Sequence, residues 1–356
     1  MPRKLLIDTD TASDDAVALI MALRSPLVEV LGITVVAGNI GVEQATRNAL
    51  LVAEICGSSV PVYMGADKPM TRPLEPASWF HGMDGLGDVG YAPANPKPNP
   101  KHAVEAILDL ANANPGLEMI TLGPLTNLAL ALQQDPSIGN KLSRCVVMGG
   151  AACCEGNVTP AAEFNLWADP EAARLVFLSG LPLEMVGWEL SRRDAVLNDA
   201  DIAEILALNT PLSDFAIGCN IRAREAYLEQ TGEHGISLPD PVSMSILLQP
   251  ELCLEQSEHF VEIETHGTFT RGMTVVDRLN VTGDDRNRDL WHEMRSRSGK
   301  VKVCWKLDVP GWKAALMVAL SYPGGVALLE VFRASIVPAP RHRAISAQNT
   351  ICTAPK

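Results

Sequence analysis

Along the chain, short apolar runs alternate with longer segments whose apolar positions recur every three or four residues. "KLLID" at 4–8 is followed by "DDAVALIMALRS" at 14–25, and "VEVLGITVVAG" at 28–38 by "GVEQATRNALLVAEIC" at 41–56. "LEMITLG" at 117–123 leads into "LTNLALALQQ" at 125–134, and "SRCVVMGG" (143–150) and "LPLEMVG" (181–187) continue the series. The short runs read as strands buried on both faces and the periodic segments as helices that cover them. The pattern predicts an α/β fold, a single domain with a mainly parallel, Rossmann-like central sheet flanked by helices. Helix starts are marked by Asp14 and Asp15, by Gly123-Pro124, and by Pro170, a residue type suited to a first turn. Between about 66 and 101 the pattern lapses into a Pro- and Gly-rich stretch. So long an irregular stretch inside a compact domain is a functional loop or a flexible one.

In doubly wound sheets, ligands gather at the carboxyl ends of the strands. The residues that follow the apolar runs there are Asp8, Asp10, Asp14 and Asp15, then Asn39, the "GPLTN" loop at 123–127, and Met148 beside "GG". Four aspartates within eight positions pose an electrostatic question. Acids at a helix start accept bonds from free N–H groups and are favoured by the helix dipole, by roughly 0.5 to 2 kcal/mol each. That accounts for one or two of them. Four crowded carboxylates repel one another, and either bind protons more tightly or hold a cation. With no His or Cys in the cluster, the donors are hard oxygens, which suit Ca²⁺ or Mg²⁺ better than zinc.

Charge and cysteine usage narrow the partners. Against 42 acidic residues stand 29 Lys and Arg, for a net charge of -13 over 356 residues, which opposes binding to nucleic acid or anionic membranes. The eight cysteines form no CxxC pair, and no apolar segment precedes the charged start "MPRK". A cytoplasmic, reduced protein is expected. No apolar stretch reaches the roughly eighteen residues of a membrane span.

An N-terminal DxD after a strand occurs in haloacid dehalogenase-like phosphatases, but their motif wants Thr or Val where this chain has Ala12. The longer string "DTDTASDDAVAL" at 8–19, followed by "VVAGNIG", "HGMDGLGD" (81–88), "LGPLTNLALAL" (122–132), "VVMGG", "GNVTPAAEFNLWADPEAA" (156–173) and "LPDPVSM" (238–244), resembles the inosine-uridine-type nucleoside hydrolases. Order and spacing agree over roughly residues 3 to 320.

The resemblance implies a Ca²⁺-dependent enzyme of nucleoside salvage that hydrolyses the N-glycosidic bond of ribonucleosides to base and ribose. It implies Asp10, Asp15, the Thr126 carbonyl and Asp240 as calcium ligands, with Asp10 also the general base toward water. Asp14, Asn39, Asn157, Glu163 and Asn165 would grip the ribose hydroxyls, Met148 would pack on the sugar, and His81 would lie near the base. Asp8 is expected to be structural. A homodimer or homotetramer is expected, with residues 1–320 as the hydrolase domain and 321–356 as an atypical, disordered extension. One departure matters. Related chains often carry a His directly before the last aspartate ligand, where this chain has Pro239. A proline donates no proton, so a leaving-group acid is absent or comes from elsewhere, with His81, Arg222, Tyr227 and His234 as candidates. Purine-leaning or broad specificity is then expected, because purines accept a proton at N7 and leave more easily. A dehalogenase-type phosphatase and a catalytically silent sugar-binding protein are the alternatives.

Overall fold

The short apolar runs form strands and the periodic segments form helices. The computed structural model describes residues 2–93 and 97–321. The strands are β1 (Arg3–Thr9), β2 (Val28–Val35), β3 (Val62–Met64), β4 (Leu117–Thr121), β5 (Leu142–Met148), β6 (Leu183–Val186), β7 (Cys253–His259), β8 (Val261–Ile263), β9 (Thr274–Val276) and β10 (Val301–Leu307). Eight of them make one sheet in the order β3-β2-β1-β4-β5-β6-β10-β7, parallel except for β7 at the edge. The antiparallel edge and the separate β8–β9 pair are absent from the expectation, because β7 reads "CLEQSEH", too polar to stand out as an apolar run.

The helices are α1 (Ser13–Arg24), α2 (Val42–Ile55), α3 (Ser78–His81), α4 (Ala103–Ala113), α5 (Thr126–Gln134), α6 (Phe164–Ala168), α7 (Pro170–Phe177), α8 (Asp199–Ala207), α9 (Pro211–Gly218), α10 (Ile221–Thr231), α11 (Pro239–Leu248), α12 (His292–Arg297) and α13 (Val309–Leu320). Side chains of the central strands alternate between two cores. Leu5, Ile7, Ile120 and Val146 face the layer of α1, α2, α11 and α13, whereas Leu6, Met119, Cys145 and Val147 face α4, α5 and α7. Burial on both faces explains why the middle of each of these strands reads as an apolar run rather than an alternation.

Chain order places the site. β1, β2 and β3 run outward in one direction, then the chain crosses back so that β4 pairs with β1 on the other side. The loops after β1 and β4 therefore diverge and leave a crevice between them at the carboxyl ends of the strands. Leu122 N–H donates to the Asp8 carbonyl at 2.8 Å and closes its floor. Among the described residues no helix is long and apolar enough to cross a membrane. The expected extension lies outside the described residues from 322 onward.

Candidate active site

The aspartates of the first motif enter the crevice because α1 starts at Ser13, directly after the loop that leaves β1. Asp15 plays the capping part that its sequence position suggests, as its Oδ2 accepts the Ala12 N–H at 2.9 Å while Oδ1 accepts from Thr9 Oγ1 at 2.5 Å. The capping role does not exhaust it. Asp14, Asp15 and Asp240, the last carried by the first turn of α11, each offer an oxygen, and the three oxygens lie within 4.8 Å of one another. Asp10 is close enough to the nest for Asp15 and Asp14 to repel its carboxylate.

All four acids are buried, and burial, followed by mutual repulsion, drives the carboxyls of Asp10, Asp14 and Asp240 up, that of Asp14 to about 8. Burial also raises Asp15, against the bonds that Thr9 and Ala12 give it. Asp10 Oδ2 accepts the Asn39 N–H at 2.6 Å, whereas Asp10 Oδ1 and Asp14 Oδ1 are buried without a hydrogen-bond partner. Orphaned carboxylate oxygens converging on oxygens of like charge fit a hard divalent cation. Gly38 and Gly123 make room for Asp10. A Cβ on Gly38 would stand 2.1 Å from Oδ2, and one on Gly123 2.6 Å from Oδ1.

Two further residues frame the nest. Asp8 stays outside the nest, as expected, and its Oδ1 accepts from Thr34 Oγ1 (2.6 Å) and Asn127 Nδ2 (2.9 Å), tying β1 to β2 and α5. Thr126 opens α5 and gives its hydroxyl to Asp169 at 2.7 Å.

A cleft at the nest takes in Asp14, Asn39, Met148, Asn157, Glu163, Asn165 and His81, so every expected substrate-binding residue shares one space. Its polar wall is rigid. Glu163 caps α6, taking N–H bonds from Asn165 (2.7 Å), Gly150 (2.8 Å) and Leu166 (3.3 Å), and burial lifts its carboxyl to about 7. Asn165 Nδ2 donates to the Leu122 carbonyl at 2.7 Å and to Met148 Sδ at 3.2 Å, locking the amide between β4 and β5. Asn157 Oδ1 accepts the Phe164 N–H at 2.9 Å.

The lining also includes Trp79, Phe80, Trp188 and Tyr227, with Gln230 and Pro239. Tyr227 donates its hydroxyl to Glu233 rather than to the cleft. His234 is exposed, and Arg222, also exposed, pairs with Glu225 and Asp88. Trp79, Phe80, Trp188, Gln230 and Ser237 escape the sequence reading. Trp188 follows β6 as Asn39 follows β2, so extending the same strand-end search would have found it. Trp79 and Phe80 directly precede His81.

A cleft that combines fixed hydrogen-bonding groups, flat aromatic rings and a carboxylate nest suits a ligand that is part sugar and part planar ring. The class it defines is that of cation-assisted enzymes acting on such a molecule. Comparison with known proteins makes this specific: the chain belongs to the inosine-uridine preferring nucleoside hydrolase family, whose model matches residues 5–314, and is a ribonucleoside hydrolase. It is 36% identical over 326 residues to the probable uridine nucleosidase 1 of Oryza sativa subsp. japonica, covering 90% of this chain and 97% of the relative. It is 38% identical over 310 residues to the pyrimidine-specific ribonucleoside hydrolase RihA of Shewanella woodyi, covering 85% and 97%. Among solved structures, the plant nucleoside hydrolase PpNRh1 superposes with a TM-score of 0.82 at 29% identity, over 91% of this chain and all of that one. A purine-preferring ribonucleoside hydrolase from Gardnerella vaginalis superposes with a TM-score of 0.78 at 29% identity, over 90% and 98%. The phosphatase alternative falls with this assignment.

Proposed function

We propose that this chain hydrolyses the N-glycosidic bond of ribonucleosides with the help of one Ca²⁺ ion, and that it accepts both pyrimidine and purine bases. The observation that carries the cation is the nest of buried carboxylates with orphaned oxygens on Asp10 and Asp14. Asp10, Asp15 and Asp240, with the Thr126 carbonyl, would hold the ion, and Asp14 stands close enough to share in it. Calcium is favoured over a transition metal because every donor is an oxygen. When bound, the ion offsets the crowded negative charge and acidifies the attacking water.

The chain's own groups do the rest. Asp10, held by the Asn39 N–H, accepts the proton of the water that attacks the anomeric carbon. Asp14, Asn39, Asn157, Glu163 and Asn165 hold the ribose hydroxyls, so a missing hydroxyl leaves buried groups unpaired and deoxyribonucleosides react poorly. Carboxylates beneath the sugar oppose the positive charge that develops as the base departs. The aromatic wall takes the planar base.

Base scope is where two supports pull apart. Pro239 leaves no acid beside Asp240, which favours purines, whereas the relatives named above as a probable uridine nucleosidase and a pyrimidine-specific hydrolase weigh toward pyrimidines. Broad acceptance accommodates both. Free thiols at Cys145, Cys219 and Cys304 support a reducing, cytoplasmic setting.

Turnover of inosine, adenosine, guanosine, uridine and cytidine, measured with calcium and with a chelator, tests the proposal. Free ribose from at least one purine and one pyrimidine nucleoside, lost on chelation and restored by calcium, is expected. Chelator-resistant turnover refutes the cation. Turnover confined to one base class refutes the breadth.

A further inference from the structure

The reaction proposed above needs a hydrogen-bond donor for the departing base, and Pro239, in the first turn of α11, has none. The lining of the same cleft carries His81, itself buried. A neutral imidazole has one donor nitrogen and one acceptor nitrogen. Which nitrogen donates depends on the partner of the other.

That partner is Ser13. Its Oγ lies 2.8 Å from His81 Nδ1, and both residues are buried. Ser13 is the first residue of α1, so no preceding helical turn offers its hydroxyl a carbonyl. Among the described residues that hydroxyl meets no partner other than Nδ1. Were Nδ1 the donor, the Ser13 proton would have no acceptor. Asp14 Oδ1 stands 3.8 Å from Nδ1, too far to accept from it. Nε2 has no hydrogen-bond partner among the described residues and is the nitrogen left for a ligand in the cleft.

Both sides of the contact are rigid. Asn220 Nδ2 and Cys219 Sγ donate to the Ser13 carbonyl at 3.2 and 3.5 Å. His81 N–H donates to the Ala77 carbonyl at 3.1 Å, and the His81 carbonyl accepts from Gly87 N–H at 2.9 Å. Asn48 Nδ2 joins the two loops, donating to the carbonyls of Thr11 (3.0 Å) and Asp84 (2.9 Å).

We propose that Ser13 is a positioning residue whose hydroxyl donates to His81 Nδ1, fixes the Nε2–H tautomer, and so makes His81 a hydrogen-bond donor to a ring nitrogen or carbonyl oxygen of the leaving base. The inference rests on the hydrolase reading and names the group that replaces the donor missing at Pro239.

The test compares wild type, Ser13→Ala, Ser13→Thr, His81→Ala and the double variant Ser13→Ala/His81→Ala on uridine, inosine and p-nitrophenyl riboside. The nitrophenolate leaves unaided. Ser13→Ala is expected to lower kcat on both nucleosides about tenfold, with KM and the p-nitrophenyl rate little changed. Ser13→Thr restores the rate, and Ser13→Ala adds nothing in the His81→Ala background. Nitrogen NMR of labelled imidazoles is expected to show Nε2–H at His81 in wild type and mixed tautomers in Ser13→Ala. Equal losses on all three substrates, additive losses in the double variant, or an Nδ1–H tautomer in wild type would overturn the proposal. If wild type cleaves none of the three compounds, the hydrolase reading fails instead, and the tautomer measurement still decides the role of Ser13.

Discussion

Replacing Gly38 by alanine tests how tightly Asp10 must be held. Gly38 does not have a positive φ, so alanine meets no backbone penalty and the effect is steric alone. The added Cβ would lie 2.1 Å from Asp10 Oδ2, 2.9 Å from Asp10 Cγ and 2.7 Å from Pro124 Cδ. Ordinary contact begins at 3.4 Å, so the carboxylate must retreat by more than 1 Å. It has nowhere easy to go. Oδ2 is bonded to the Asn39 N–H and Oδ1 is closed in by Gly123. Misplacing a reacting group by about 1 Å costs on the order of 10²-fold, and overpacking of this kind destabilises by roughly 1–3 kcal/mol. Gly38→Ala is therefore expected to fold, to melt a few degrees lower, and to lose about 10²-fold in kcat with a smaller change in KM, because of the ribose-gripping groups only Asn39 adjoins it. Steady-state kinetics and a thermal melt measure both. Gly41→Ala, where a Cβ meets only Glu43 Oε2 at 3.9 Å, is the control and stays near wild type. A kcat within about threefold of wild type in Gly38→Ala, with the fold intact, would refute the placement of Asp10 as the base.

Two further predictions follow from the carboxylate nest. Asp240→Asn removes one of the mutually repelling charges, so its melting temperature should rise in chelator and fall in calcium relative to wild type, with bound calcium lost by elemental analysis; parallel shifts in both conditions would count against Asp240 as a ligand. In chelator, the wild-type melting temperature should fall as pH rises from about 4 to about 8, because Asp14 binds its proton more tightly folded (about 8) than at its ordinary 3.8, and the folded state gives up that advantage as pH climbs. Calcium should flatten this slope, and a flat profile in chelator would show that the nest carries no such strain.

The sheet and its five central parallel strands were legible because burial on both faces leaves an apolar run that periodicity detects. β7 was not, since an edge strand with five exposed residues carries no such signal. The site divides along the same line. Acids, amides and the Met148 strand end stand out because polar or unusual residues at strand termini announce chemistry. The aromatic residues did not, because Trp79, Trp188 and their neighbours read as ordinary core or loop residues until the fold brings them to one cleft. Ser13 shows the limit most sharply. A serine at a helix start reads as a cap, and only the approach of the 81–88 loop, 68 residues away in sequence, turns its hydroxyl toward an imidazole.

Pro239 connects these observations. At the first position of α11 a proline suits the helix, since the N–H it lacks would be unpaired there and its fixed φ is already helical. The residue thus helps to start the helix whose next position, Asp240, completes the carboxylate nest. The same residue type withdraws a donor from the rim of the cleft. What this position gives up in chemistry for a firm helix start, another residue of the lining has to supply. His81 can do so only if its outward nitrogen carries the proton, and a neutral imidazole holds that proton on the right side only when something donates to the other nitrogen. The hydroxyl of Ser13, sharing a motif with Asp14 and Asp15, is placed to do that. The first loop of the sheet would then serve the sugar end of the reaction through its acids and the base end through its serine.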